Sequence, residues 1–76
     1  MKDLLMNLVR ALVDHPEQIE VAFVEGKHTL ILKLKVAKED MGKVIGKQGR
    51  NADALRTILI AASGKDKKRI VLEIID

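Results

Sequence analysis

The residues best suited to chemistry are two glycines that enclose a short basic segment in the second half of the chain. The segment reads, in order, Gly46, Lys47, Gln48, Gly49 and Arg50. Glycine lets a backbone turn sharply and lets an anion approach without a Cβ in the way. A helix that begins after the second glycine would also direct free N–H groups toward that anion. The four residues from glycine to glycine, the GxxG loop, therefore predict contact with a phosphate-bearing ligand.

The residues beside the GxxG loop extend the candidate site. Val44 and Ile45 precede it and are apolar, so at least one of them should face the core or line a groove. Weaker candidates for phosphate contacts are Lys43, Arg56 and the basic run 67–69. For these, a solvated surface role explains the sequence equally well. Two glycines at this spacing also arise by chance, so a turn between helices without a ligand is the plain alternative.

The distribution of charge agrees with a polyanionic partner. The 76-residue chain has a net charge of +3, with nine basic and six acidic residues from 38 to 76 and five of each from 1 to 37. The whole excess of positive charge therefore lies in the half that holds the GxxG loop, as a polyanion contact requires. With 47% apolar and 33% charged residues, the chain is predicted to form one globular domain spanning residues 1–76.

Several classes of function are disfavoured by what the sequence lacks. Without cysteine, it has no disulfide, thiolate metal site or cysteine nucleophile, and two histidines are too few for a histidine-rich metal site. No metal and no cofactor are therefore expected. Acidic residues are scattered and no nucleophile stands near a plausible base, so we predict that the chain is not an enzyme. The segment 1–13 is too short and too polar to span a membrane, and a cytoplasmic location is expected.

Two other modes of nucleotide recognition fit the sequence poorly. A P-loop has four residues between its glycines and then Lys with Ser or Thr. Here three residues separate Gly42 from Gly46, and Lys47 is followed by Gln48. Phe23 is the one aromatic residue, so RNA recognition cannot rest on an aromatic stacking platform.

Hydrophobic periodicity and turn signals predict three helices and three strands. The helices are expected at 2–13, 38–45 and 50–63, and the strands at 19–25, 29–36 and 69–75. A turn at Gly26-Lys27 predicts an antiparallel hairpin, and the two helices before the last strand predict a parallel crossover. The fold class is therefore α+β in the order α-β-β-α-α-β, with three helices packed on a three-stranded mixed sheet.

Local signals set the expected ends of the helices. His15-Pro16 is expected to end the first, and Asp40 lies in the first turn of the second, where the helix dipole favours an acid. Ser63-Gly64 is expected to end the third, and a charged turn is predicted at 65–68. The inward stripe of the third helix is predicted to be Leu55, Ile58, Leu59 and Ala62.

The loop and the element order together resemble the KH domain family. The stretch Val44-Ile45-Gly46-Lys47-Gln48-Gly49-Arg50 is similar to the KH signature loop, and the order of elements matches the bacterial type II arrangement. The resemblance implies RNA binding, in which loop amides clamp the backbone of about four single-stranded nucleotides. The bases would then lie between the last two helices and the edge of the last strand, and Val44 and Ile45 would supply apolar surface for a base or a sugar. The resemblance also implies RNA chaperoning and control of bacterial cell-wall growth and cell length.

A protein-interaction module with the same fold and little RNA affinity is the alternative. The third helix has apolar residues beyond its inward stripe, and a helix that is apolar on more than one face usually buries more than one. The candidate interface residues are Ala54, Ile58, Ile60 and Ala61. An isolated, exposed Ile60 would explain the pattern equally well. The resemblance implies a homodimer or a pair with a larger KH-containing protein.

Overall fold

The computed structural model describes residues 2–64 and 68–76, and these form three helices and three strands. The helices are α1 (Lys2–Arg10), α2 (Met41–Ile45) and α3 (Arg50–Ala62), and the strands are β1 (Glu20–Glu25), β2 (Thr29–Lys35) and β3 (Arg69–Ile75). Single 3-10 turns precede β1, α2 and α3. This confirms the predicted α+β class and element order. The charged turn predicted at 65–68 falls mostly on residues 65–67, which lie outside the described residues.

The sheet has the strand order β1-β2-β3 and is mixed, as predicted. β1 pairs antiparallel with β2 through a tight turn, in which the Gly26 N–H donates to the Thr29 carbonyl over 2.7 Å. β2 pairs parallel with β3 in a register that runs from Thr29 opposite Arg69 to Lys35 opposite Ile75. Parallel neighbours need a crossover, and α2, the GxxG loop and α3 together form it.

One face of the sheet and the inner sides of the helices make a single apolar core. β2 shows the pattern most clearly, because Leu32 and Leu34 are buried while Lys33 and Lys35 between and beyond them are exposed. Alternation of this kind places successive side chains on opposite faces of a sheet. The core consists of Leu5, Val9, Ile19, Val21, Leu32, Leu34, Val36, Val44, Leu55, Leu59, Ile70 and Leu72.

Two predictions about the helices were wrong in detail. α1 ends at Arg10, several residues before Pro16, because the Val9 carbonyl accepts N–H groups from both Leu12 and Val13, at 2.9 and 3.2 Å, in a tightened turn. The inward stripe of α3 is narrower than predicted. Leu55 and Leu59 are buried, whereas Ile58 and Ala62 are exposed. Leu55 and Leu59, which lie one turn apart, are thus the residues of α3 that pack in the core.

The buried carboxylate of Asp40 fastens the α1–β1 connection to the start of α2. Only 1% of Asp40 is exposed, and its Oδ1 and Oδ2 accept the backbone N–H groups of Asp14 and His15 over 3.1 and 3.0 Å. The sequence analysis predicted that Asp40 interacts with the dipole of the helix that it precedes. Its hydrogen-bond partners instead lie about 25 residues away in the chain. Each bond is charge-assisted and therefore stronger than a neutral one.

We expect Asp40→Ala to lower the free energy of unfolding by about 3 kcal/mol, because it leaves the partly buried N–H groups of Asp14 and His15 without their acceptor. Urea denaturation followed by circular dichroism measures this value. Glu39→Ala is the matched control, since Glu39 is the adjacent acid and is exposed. Equal stability of the two variants would contradict the structural role of Asp40.

Candidate nucleic-acid interface

The GxxG loop joins α2 to α3 through a backbone that L-residues adopt with difficulty. Gly46 and Gly49 both have φ of +75°, and Gln48 between them has φ of 59° and ψ of 25°. A left-handed conformation costs a residue with a Cβ about 1–2 kcal/mol, whereas glycine adopts it freely. Three of the four loop residues therefore hold positive φ, which explains why glycine stands at both ends of the loop.

Gly46 is required for a second reason, which is its closeness to Asn51. A Cβ built on Gly46 would lie 2.7 Å from the Asn51 Cγ and 2.9 Å from the Asn51 backbone nitrogen. The Asn51 Nδ2 donates to the Lys43 carbonyl over 2.8 Å. This bond satisfies a carbonyl at the end of α2 that has no partner within its helix. It also links the start of α3 to the end of α2 across the base of the loop, and we call this hydrogen bond the clasp.

Asn51 is the functional residue that the sequence analysis missed. Its signal is weak, since an amide side chain in the first turn of a helix is common and usually faces solvent or caps its own backbone. Only the sharp turn at Gly46 brings Asn51 back to α2.

The loop amides divide into two groups. The N–H groups of Gly46 and Gly49 donate within this region, to the carbonyls of Gly42 and Gly46 over 2.8 and 3.1 Å. The N–H groups of Lys47 and Gln48 donate to none of the residues that the structure describes. These two amides stand at the tip, before the positive end of the α3 dipole, and are available to an anion.

Side chains at the tip add charge and apolar surface. Lys47, Gln48 and Arg50 are exposed, and the Arg50 guanidinium donates to the Gln48 Oε1 over 3.4 Å. Ile45 is 37% exposed and lies directly before the loop, whereas Val44 has no exposed surface. The expected contact of Val44 with a base or sugar is thus not supported, because its side chain is packed in the core. Val44 thus fixes the end of α2, directly before the loop, to the core.

Lys43 is engaged by a carboxylate on another element. Its ammonium forms an ion pair with Asp14 in the α1–β1 connection. The hydrogen bond from Lys43 holds the pKa of Asp14 below its ordinary 3.8, and the same bond raises the pKa of Lys43 above 10.5. Both groups are exposed, so water and salt screen the pair. Lys43 therefore places a positive charge near the loop, but its ammonium is directed to Asp14.

The weaker cationic candidates lie apart from the loop. Arg56 is two turns into α3, where it pairs with Asp53 over 3.1 Å. Lys68 pairs with Glu25 of β1, and the hydrogen bond lowers the pKa of Glu25. Lys67 lies outside the described residues. In the described ranges no group of His, Asp and Glu could hold a metal ion, and no helix is long and apolar enough to cross a membrane.

The four predicted interface residues do not share one face of α3. Ala54, Ile58 and Ala61 lie within one narrow sector, and the first two line an apolar groove of about 240 Å³ together with Leu8 and Leu12 of α1. Ile60 lies about 120° around the helix axis from Ala54. Ile60 therefore faces a different side of α3 from this groove.

Comparison with known proteins relates nearly the whole chain to one family. A family model described as KhpA/KhpB, KH domain, matches residues 2–74. The RNA-binding protein KhpA of Clostridium acetobutylicum is 56% identical over 75 residues, which cover 99% of this chain and 100% of the relative. Proteins of the same name from Listeria monocytogenes and Chlamydia caviae are 50% and 43% identical over 76 residues. These alignments cover 100% of this chain, and 100% and 97% of the two relatives.

Three glycine-to-alanine variants separate backbone conformation from steric fit. We expect Gly46→Ala to reduce the free energy of unfolding most, because it combines a left-handed φ with a clash against Asn51. Gly49→Ala should cost about 1–2 kcal/mol, since only its φ is unfavourable. Gly42→Ala is the control, as it lies inside α2 with open space around it, and it should be neutral or slightly stabilising. Equal effects at 46 and 42 in urea denaturation would refute the clasp geometry.

Proposed function

The chain belongs to the KhpA/KhpB family of KH domains, and from this premise we propose that it binds single-stranded RNA by clamping its backbone at the GxxG loop. The helix and strand order is that of a type II KH domain. The family is not an enzyme family, in agreement with the sequence analysis. The relatives carry the name RNA-binding protein, which supports the class of ligand.

The observation that carries the proposal is the pair of loop amides without partners. The N–H groups of Lys47 and Gln48 donate to no described residue, so a phosphate oxygen can accept from them. Positive φ at Gly46, Gln48 and Gly49 shapes the turn that carries them. Lys47 and Arg50 then neutralise the charge of the bound backbone, as cations do in all nucleic-acid complexes. The loop therefore contributes about two or three phosphate contacts.

Aliphatic surface next to the tip serves the remainder of the nucleotide. Ile45 is exposed beside the loop, and Val44 beneath it keeps α2 fixed to the core. Ile45 therefore takes the role of apolar contact for a sugar or base, while Lys43 supports the backbone once a phosphate competes for it with Asp14. Phosphate and aliphatic contacts carry little base information, so the loop holds RNA without strongly selecting its sequence.

The double variant Lys47→Asp, Gln48→Asp tests the loop. It places two carboxylates where phosphates would lie, so we expect RNA binding to be abolished while the circular dichroism spectrum and melting temperature stay unchanged. Fluorescence anisotropy with a labelled single-stranded RNA measures the affinity. Lys27→Asp, His28→Asp is a matched control, because it changes the charge equally in the exposed hairpin turn.

Salt dependence provides the second half of this test. About three phosphate contacts to a single strand predict that the logarithm of affinity falls against the logarithm of salt concentration with a slope of about −2. Undiminished RNA binding by the loop variant, or a slope near zero for the unaltered chain, would disprove the backbone clamp.

We also propose that the α1–α3 groove is a protein-pairing surface. Ile58 is 41% exposed in this groove, beside Ala54 and opposite Leu8 and Leu12, and the surface is almost wholly apolar. A short chain with a modest core gains stability from covering such a surface. The partner is a second copy or a larger KH-containing protein such as KhpB. By family resemblance, the pair acts in the cytoplasm as an RNA chaperone and contributes to cell-wall and cell-length control.

Ile58→Asp tests the pairing surface without touching the loop. We expect it to convert a dimer to a monomer in light scattering, because a carboxylate in an apolar interface is costly to desolvate. Ile60→Asp, on the other side of α3, is the control and should leave the mass unchanged. A monomeric unaltered chain at high concentration, with no gain in mass on adding KhpB, would rule out pairing through this groove.

A further inference from the structure

Of the ion pairs among the described residues, one involves a cation directly before the GxxG loop. Lys43 lies three residues before Gly46, and its ammonium pairs with the carboxylate of Asp14, which stands 29 residues earlier in the α1–β1 connection. The other pairs join His15 to Glu17, Lys35 to Glu20, Arg56 to Asp53 and Lys68 to Glu25. A distant segment thus places an acid beside the loop, where the proposed ligand is itself an anion.

The backbones on both sides of this ion pair are held in place. The Asp14 N–H donates to the buried Asp40 Oδ1 over 3.1 Å, and the His15 N–H donates to its Oδ2 over 3.0 Å. Asp40 precedes α2, so one carboxylate fixes the backbone of Asp14 beside the helix that carries Lys43. The clasp holds the Lys43 carbonyl over 2.8 Å. The fold therefore brings Asp14 and Lys43 together before any ligand binds.

The ion pair itself is open to exchange with another anion. The side chains of Lys43 and Asp14 are 45% and 68% exposed. An exposed ion pair is favoured over the separated charges by no more than about fivefold. A phosphate offers charged oxygens of the same kind, and the flexible stem of a lysine lets its ammonium turn toward them. Lys43 can therefore transfer from the carboxylate to a phosphate, but it leaves Asp14 unpaired when it does.

We propose that Asp14 is an intramolecular competitor of RNA, whose carboxylate holds Lys43 in the free protein and must be displaced before this lysine can bind a phosphate. The inference rests on the proposed function, because the loop must hold the RNA backbone nearby. Transfer of Lys43 neutralises one phosphate and exposes one carboxylate, so it releases no net counterion. Asp14 thereby lowers both the affinity of the chain for RNA and the dependence of that affinity on salt.

Asp14→Asn tests the competitor role, because it removes the charge and keeps the backbone N–H that donates to Asp40. Fluorescence anisotropy with a labelled oligoadenylate of about eight nucleotides, between about 50 and about 200 mM salt, measures the affinity. At the lower salt concentration we expect binding to tighten by about fivefold. The salt slope should become steeper by about 0.7, the contribution of one more phosphate on a single strand. Glu17→Gln is the matched control, since it removes an exposed acid from the same connection, and its effect should be much smaller.

The same substitution in a chain that also carries Lys43→Gln separates competition from a general loss of negative charge. Loss of charge alone would strengthen RNA binding equally with and without the lysine, whereas competition requires the lysine. We therefore expect Asp14→Asn, made in the Lys43→Gln chain, to change affinity and salt slope no more than Glu17→Gln does.

The competitor role and the clamp fail in different ways in this experiment. If Asp14→Asn strengthens binding no more than Glu17→Gln, or strengthens it equally with and without Lys43, the competitor role is overturned and the clamp stands. If the loop variant Lys47→Asp, Gln48→Asp binds the oligoadenylate as tightly as the unaltered chain, the clamp itself fails. Melting temperatures confirm that each variant is folded, and all the substituted residues are exposed, so the fold should tolerate the changes.

Discussion

The parallel pairing of β2 with β3 determines where α2, the GxxG loop and α3 lie along the crossover between these strands. β2 ends at Lys35, and β3 must begin beside Thr29 at the far end of the sheet. The chain therefore has to return along the whole length of a seven-residue strand, which is about 23 Å. α3, with thirteen residues, spans about 20 Å and covers this distance almost alone. α2 needs only five residues, so the GxxG loop has to fall early in the crossover, and α3 leads away from it.

Because the chain is small, only one side of α3 is buried in the core. A 76-residue chain has too little core to bury three sides of α3. Leu55 and Leu59 take the side that faces the sheet. Ala54 and Ile58 lie on the side next to α1, and Arg56 and Ile60 on the side next to β3. A single helix thus presents an apolar groove toward α1 and cationic and aliphatic side chains toward β3. The residues of the GxxG loop do not line the groove, so the proposed RNA clamp and the proposed pairing surface do not overlap.

Sequence patterns predicted what depends on near neighbours along the chain. The alternation in 29–36, the turn at Gly26 and the glycines of the loop identify β2, the hairpin and the helix break. The burial of Asp40 could not be predicted, because its partners are backbone groups of a distant connection. The division of Val44 from Ile45, and of Ile58 from the core stripe, depends on the rotation of each helix against the sheet. A pattern of apolar residues restricts that rotation to a range and does not fix it.

The clasp between Asn51 and the Lys43 carbonyl has a consequence for the thermodynamics of recognition. A loop with positive φ at three of its four residues and a hydrogen bond across its base has little conformational freedom left to lose. In the proposed clamp, association would immobilise the nucleic acid far more than the protein, so most of the ordering entropy would be lost by the ligand. Flexible, unpaired RNA is penalised most, and a strand already extended by its own stacking or by flanking duplex has the least to lose. The proposed clamp would therefore select among RNAs by their stiffness more than by the identity of their bases.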